Sequence, residues 1–398
     1  MQPPIPERLF PQPTGGLIVT FKPGVDLAAQ TRCLHDCIGP NARAFSTSTE
    51  DLTQIDAATT AVLMDDSGIA IIFDREETPE IQSRLANADL IADIRPEFWM
   101  FALDQFQDTS AATWGLQASG VLETPFTGQG IRLCVLDTGI DLQHPDFLTR
   151  AIVQRSFVTG EGVEDGNGHG THCAGTAAGP RPKGDIPRYG VAPNASLHVG
   201  KVLSNAGSGR ERDIIAGMLW AINAGCEVIS MSLGRAVAAG EAPSPDYDRI
   251  GALALQRGSL IVAAAGNDSA RRYGHIAPVG APANSPAIMA VAALNQVLDV
   301  AEFSCGGVNP QGGEVNIAAP GVGIYSAAPR PEMYRILRGT SMACPHVAGL
   351  AALLAESNPA LRGQALWDRV IATARKLPLG PVDVGAGLAR APVVGGVA

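Results

Sequence analysis

From residue 131 to residue 293 the chain repeats one pattern that leaves few folds open. Short, uniformly apolar runs at 131–136, 196–203, 227–232, 260–265 and 288–293 alternate with longer stretches of helical periodicity near 169–178, 213–224 and 247–257. A strand apolar on both faces is buried on both faces, and successive strands separated by helices run parallel. The expectation is an α/β fold, a parallel sheet flanked by helices. In such sheets ligands collect beyond the carboxyl ends of the strands, so residues at those ends are the place to look for chemistry.

The chain around this core has 398 residues, 46 % hydrophobic and 17 % charged, which suits two domains or one large core with an appendage. A net charge of −10 speaks against a nucleic-acid partner. Residues 15–106 hold fifteen acidic against six basic side chains, so nearly all of the imbalance lies there. That segment reads β-α-β-β-α-β: a strand at 17–21, a helix from Asp26, a hairpin around Asp65-Asp66-Ser67, a helix from Pro79 and a strand from Leu90. The order is that of a small α+β ferredoxin-like unit. Before it lies a Pro-rich leader, 1–14, and polar, turn-prone residues at 104–113 mark its end. Residues 376–398, rich in Gly, Pro and Val, are expected to trail over the surface. Seven cysteines without metal-type spacing read as free, buried thiols. The start lacks a secretory layout and no run reaches the roughly 18 apolar residues of a membrane span, so a cytoplasmic or non-classically exported protein is expected.

Four residues at strand ends and helix starts carry chemistry. Asp137 ends the 131–136 run, where a carboxylate can be desolvated and aimed; on that segment alone a turn cap is the favoured reading. His169, between glycines in Asp165-Gly166-Asn167-Gly168-His169-Gly170-Thr171-His172, is open to close approach and suited to proton transfer near neutral pH. Its spacing from His172 also fits metal binding, although no third ligand motif accompanies the pair. Asn267 follows Ala263-Ala264-Ala265-Gly266 as an amide at another strand end. Ser341, in Gly339-Thr340-Ser341-Met342-Ala343-Cys344-Pro345-His346, opens an apolar helix with proline in its first turns. A serine there is either a helix cap or a nucleophile beside unpaired N–H groups.

Asp137-Thr138-Gly139, His169-Gly170-Thr171-His172 and Gly339-Thr340-Ser341-Met342-Ala343 resemble the three signature blocks of subtilisin-like serine peptidases, in that family's order of Asp, His, Ser. Further stretches, such as Ile214-Ile215-Ala216-Gly217-Met218 and His346-Val347-Ala348-Gly349-Leu350, lean toward the proteinase K branch. The resemblance spans roughly Trp114 to Ala391 and implies a serine endopeptidase with Asp137, His169 and Ser341 as its triad and Asn267 in its oxyanion hole. It also implies substrate contacts at Gly207-Ser208-Gly209, Ser232-Leu233-Gly234 and Gly266. Gly280 falls at the floor of the primary specificity pocket, so large apolar residues are expected before the scissile bond, with Asp268 at the rim admitting Lys or Arg. Glu211 stands where relatives often carry an aromatic at the fourth subsite, so strong apolar selection is not expected there.

Residues 15–106 resemble an inhibitory propeptide, a zymogen's own intramolecular inhibitor, ahead of a peptidase domain at 107–398. Self-cleavage is expected after Phe106, with Leu103 the second choice. Asp146 falls where relatives often supply a structural calcium ligand, although 179–185 replaces the loop that would complete one such site. Catalysis is expected to need no cofactor. Protein or peptide substrates, a monomer, and neither nucleic-acid nor membrane partners are expected. The alternatives are an idle subtilisin-fold binding or regulatory protein, and a dedicated processing protease that keeps its N-terminal domain.

Overall fold

Alternation puts Leu17, Val19 and Phe21 on one face of the first strand, β1 (Pro13–Phe21), and all three are buried. The computed structural model describes residues 13–46, 50, 55, 58–64, 67–73, 79–98, 106–181 and 186–393. It forms two compact units, Met1–Ala102 and Leu103–Ala398.

In the first unit β1 is followed by α1 (Leu27–Ile38), β2 (Ala42–Phe45), β3 (Ala61–Met64), β4 (Ile69–Ile72), α2 (Pro79–Ala86) and β5 (Ile91–Phe98). Asp26 caps α1, its carboxylate accepting from the Ala29 N–H at 2.7 Å. The sheet order is β2-β3-β4-β1-β5, with β1 antiparallel to both β4 and β5. Without β2 this is the ferredoxin-like order. β2 is an added edge strand, parallel to β3, whose four residues are too few to announce themselves by alternation. Leu34 and Cys37 of α1 and Leu85 of α2 close the core over β1, β3 and β4. β1 also begins at Pro13, inside the stretch read as leader; residues 1–12 lie outside the described residues.

The second unit runs α3 (Trp114–Ala118), β6 (Arg132–Asp137), β7 (Val153–Ser156), α4 (His169–Ala178), β8 (Ser196–Lys201), α5 (Glu211–Asn223), β9 (Val228–Met231), α6 (Pro245–Gln256), β10 (Leu260–Ala264), β11 (Met289–Leu294), β12 (Ile317–Pro320), β13 (Ile324–Ala327), β14 (Tyr334–Leu337), α7 (Thr340–Ser357), α8 (Gln364–Ala372) and α9 (Pro381–Val384). Seven strands form a sheet of order β12-β11-β10-β9-β6-β8-β7 in which every ladder is parallel. β9, β10, β11 and β12 are buried along their whole length. β7 escaped the sequence reading because, as an edge strand, it carries polar, exposed residues. After β6 the chain crosses to the edge as β7, fills the gap with β8, then returns to add β9 to β12 on the other side. That reversal opens a crevice at the carboxyl ends of β6 and β9. α7 is buried along nearly its full length against this sheet. Among the described residues no helix is long and apolar enough to cross a membrane.

The expected surface tail is wrong for residues 376–391. Leu388 is fully buried and bonds reciprocally with Arg375 (2.8 and 2.9 Å), while Gly387 and Ala389 add to the open edge of β12 through Ala318 (both 2.9 Å). The glycine that suggested looseness is there for close packing. Gly387 has φ +118°, and a Cβ on it would sit 2.1 Å from the Arg375 carbonyl. Six cysteines are buried, Cys33 is half-buried, and all seven are free.

Candidate active site

Asp137 is the last residue of β6 and fully buried. Its Oδ1 accepts from the Thr138 N–H at 2.7 Å and pairs with His169 Nδ1 at 2.8 Å, while Oδ2 has no donor among the described residues. His169 is the first residue of α4, its side chain 27 % exposed. Burial by itself disfavours the imidazolium, but the Asp137 carboxylate outweighs it and holds the pKa well above the usual histidine value. With Nδ1 engaged by the carboxylate, Nε2 is the nitrogen left to exchange a proton. The close approach of strand end and helix start requires glycine: a Cβ on Gly170 would lie 2.3 Å from the Gly139 carbonyl.

Asp165, quoted in the sequence but given no role there, holds this arrangement. Its buried carboxylate accepts from the N–H groups of Asn167, Gly168 and Thr171 and from the hydroxyls of Thr138 and Thr171, all between 2.7 and 3.1 Å. Thr138 Oγ1 in turn accepts from the Gly170 N–H at 2.8 Å. Burial pushes the Asp165 pKa up, and this set of donors overrides it to leave the pKa low. The signal was an aspartate four residues before the histidine in a glycine-rich loop. Nothing local says that its partners include Thr138, twenty-seven residues away.

Ser341 lies in the first turn of α7, and its hydroxyl points at the Ser232 carbonyl at 3.4 Å. Its carbonyl accepts from the Ser232 hydroxyl at 2.8 Å, so both edges of the residue are tied to the end of β9. Entry to this helix runs through Gly339 at φ +149°, a conformation that L side chains rarely adopt. Asn267 Oδ1 accepts from the Thr340 N–H (2.8 Å) and hydroxyl (3.0 Å). Both donors fix which end of the amide is oxygen, so the NH₂ group remains a donor beside Ser341. The N–H of Ser341, in the first helical turn, has no intrahelical acceptor.

His169, Asn267 and Ser341 border one cleft of about 580 Å³. Gly207, Ser208 and Gly209 line it, as do Ser232, Leu233 and Gly234. Gly266 and Gly280 line it near Asn267. A Cβ on Gly280 would lie 2.6 Å from the Arg235 carbonyl, so nothing larger than hydrogen fits. Asp268, Glu211, Arg235 and Tyr247 also border the cleft, and the Tyr247 hydroxyl donates to Glu211 Oε1 at 3.4 Å.

Other expected residues stand apart. His172 is fully buried, with Nε2 3.0 Å from the Ile324 carbonyl, and burial pulls its pKa down to about 3. It is a neutral core histidine and not a partner of His169 in a metal site. Asp146 Oδ2 accepts hydrogen bonds from the Tyr189 and Tyr334 hydroxyls, the latter at 3.0 Å. Two phenol donors occupy Oδ2, and no cluster of three or more His, Cys or carboxylate ligands forms around it among the described residues. Phe106 is held within the second unit by its N–H to the Gln296 carbonyl at 2.9 Å; Leu103 lies outside the described residues.

The comparisons with known proteins converge. A family model described as "Subtilase family" matches residues 128–388. An alkaline protease from Alkalihalobacillus alcalophilus is 35 % identical over 367 residues, 90 % of this chain and 91 % of the relative. Subtilisin DY from Bacillus licheniformis is 38 % identical over 263 residues, 66 % of this chain and 90 % of the relative. Among solved structures, sphericase aligns with a TM-score of 0.60 at 34 % identity, covering 70 % of this chain and 98 % of that one. Subtilases need no cofactor for catalysis, and structural calcium is common among them.

Proposed function

We propose that this chain, which belongs to the subtilase family and is a subtilisin-like serine endopeptidase, cleaves peptide bonds through an acyl-enzyme on Ser341 and is made as a zymogen. The observation that carries the chemistry is the 2.8 Å pairing of buried Asp137 with His169 at the cleft that Ser341 also borders. In the first step the Ser341 hydroxyl turns from Ser232 to His169 and attacks the substrate carbonyl as Nε2 takes its proton. Asp137 keeps Nδ1 protonated and stabilises the imidazolium. The tetrahedral oxyanion is received by the Asn267 NH₂ and the Ser341 N–H. His169 then gives its proton to the leaving amine, and water repeats the sequence to release the acid and restore Ser341.

Substrate backbone lies between 207–209 and 232–234 as an added strand. The space over Gly280 suits a large apolar side chain before the scissile bond, and Asp268 at the rim admits Lys or Arg. Glu211 removes strong apolar selection at the fourth subsite; a peptide library enriched there in large apolar residues would refute this. The motifs around His172, Met218 and His346 support placement near the proteinase K branch. The acidic unit ahead of the peptidase, with its own core and ferredoxin-like sheet order, supports the propeptide reading, with domains at 15–106 and 107–398 and release after Phe106 or Leu103. N-terminal sequencing of the processed protein tests that point. The enzyme acts on proteins or peptides as a monomer, without nucleic-acid or membrane partners.

Labelling with a fluorophosphonate is the central test. Wild-type mature protein is expected to label stoichiometrically and Ser341→Ala not at all; wild type that fails to label overturns the proposal and restores the idle binding protein.

A further inference from the structure

Lys201 ends β8 with its side chain fully buried, in register with Asp137 of the neighbouring strand. A buried ammonium is costly unless each of its three N–H groups finds an acceptor. Lys201 finds three. Nζ donates to the Thr138 carbonyl and to Asn205 Oδ1 (2.9 Å), and pairs with Glu161 Oε2 at 3.2 Å. Each acceptor belongs to a different part of the site. Thr138 follows the triad carboxylate, and its N–H donates to Asp137 Oδ1. Asn205 opens the turn, closed by Ser204 N–H to Ser208 carbonyl at 2.8 Å, that leads into the cleft wall at 207–209.

Asn205 and Glu161 extend the reach of the ammonium. Asn205 Oδ1 also accepts from the Gly166 N–H at 2.9 Å, and its carbonyl accepts from Asn167 Nδ2 at 3.2 Å. Gly166 and Asn167 lie just ahead of His169. Glu161 Oε2 accepts from the Asn205 N–H at 2.9 Å, closing the ring. One cation thus ties together the residue beside the acid, the loop that presents the base, and the segment that borders substrate. A hydrophobic side chain of similar size would fill the same volume, so packing alone does not call for a charge here.

We propose that Lys201 is a positioning residue for catalysis: its ammonium sets the mutual placement of Asp137, His169 and the 207–209 substrate wall. This rests on the serine peptidase reading. Displacing reacting groups by about 1 Å costs on the order of 10²-fold in rate, so the effect belongs mainly in kcat.

The test uses the full chain, with active sites counted by fluorophosphonate labelling, and measures kcat per labelled site, KM and thermal midpoint for Lys201→Met and Lys201→Arg. The expected result is a fall of kcat per labelled site of about 10- to 100-fold in Lys201→Met. KM should change less than kcat, and Lys201→Arg, which keeps charge and donors, should recover most of the loss. A fall of less than fivefold overturns the proposal, whatever the thermal midpoint does, since purely structural support would leave correctly folded, labelled enzyme at full speed. Should Lys201→Met yield no folded protein, Asn205→Ala and Glu161→Gln read the same quantity under the same fivefold criterion, each removing one arm of the ring. Absence of labelling in wild type would instead sink the peptidase reading itself, so the two failures are distinguishable.

Discussion

At the residue scale, the site works by leaving selected atoms unpaired. Asn267 spends its oxygen on Thr340 and keeps its NH₂ for the cleft. Asn267→Ala is therefore expected to lower kcat by about 10²–10³-fold with little change in KM, the loss associated with one oxyanion donor in subtilisin itself; steady-state kinetics on a peptide anilide checks it. Asp137 raises the His169 pKa, and an imidazole proposed as general base acts only when neutral. The acid limb of kcat/KM is expected above the ordinary histidine value of about 6.5. The sign of the linked stability is the reverse. A raised folded pKa stabilises fully below about 6.5 and this contribution fades as pH rises through the folded value, so the working form forgoes it. Asp137→Asn should reduce kcat by about 10⁴-fold, as in other serine proteases that lose this carboxylate. Kinetics of that variant across pH reads the effect. Asp137 and His169 were legible in the sequence because strand end and glycine-flanked loop announce them. Asn267 was read as a donor from its family block; that Thr340 holds its oxygen was not legible, because the pairing spans two distant segments.

At the element scale, what counts is how helix starts are locked to strand ends. Asp165 binds the start of α4 to Thr138 beyond β6. Its pKa is lowered in the fold, so its contribution is present above the unfolded value near 4 and is lost as pH falls toward the folded value. Asp165→Asn, which cannot serve all five donors, is expected to cost roughly 2–3 kcal/mol and to flatten the acid end of the stability curve. Denaturant titration at neutral and acid pH measures both. Most elements were readable: α4 from its small-residue helix, β9 to β11 from continuous apolar runs. The carboxyl-terminal stretch was misread because Gly and Pro mark tight packing as well as looseness. Leu388→Ala, at a position expected to trail over the surface, should destabilise by about 2–5 kcal/mol, measurable as a lowered unfolding midpoint.

At the scale of the whole molecule, the seven-stranded parallel sheet supplies the crevice, and the first compact unit is the proposed means of restraint. The acidic unit has its own buried core, and as a propeptide it should inhibit when added back. Purified unit 15–106 is expected to reduce turnover by mature enzyme, and activity assayed against increasing amounts of it would show saturable inhibition. No inhibition at any concentration would contradict the propeptide reading.

The sequence by itself determined the parallel α/β architecture and singled out Asp137, His169, Ser341 and Asn267 as candidates, because strand burial, helix-start glycines and local signal blocks are properties of short segments. Only the tertiary structure decided what joins them. The bond from the Lys201 ammonium to Thr138, the Thr138 hydroxyl on Asp165, the phenols on Asp146 Oδ2 and the docking of Leu388 beside β12 all pair residues far apart in the chain. No periodicity or spacing encodes such pairs, because burial creates the need for a partner and the fold alone determines which one is near.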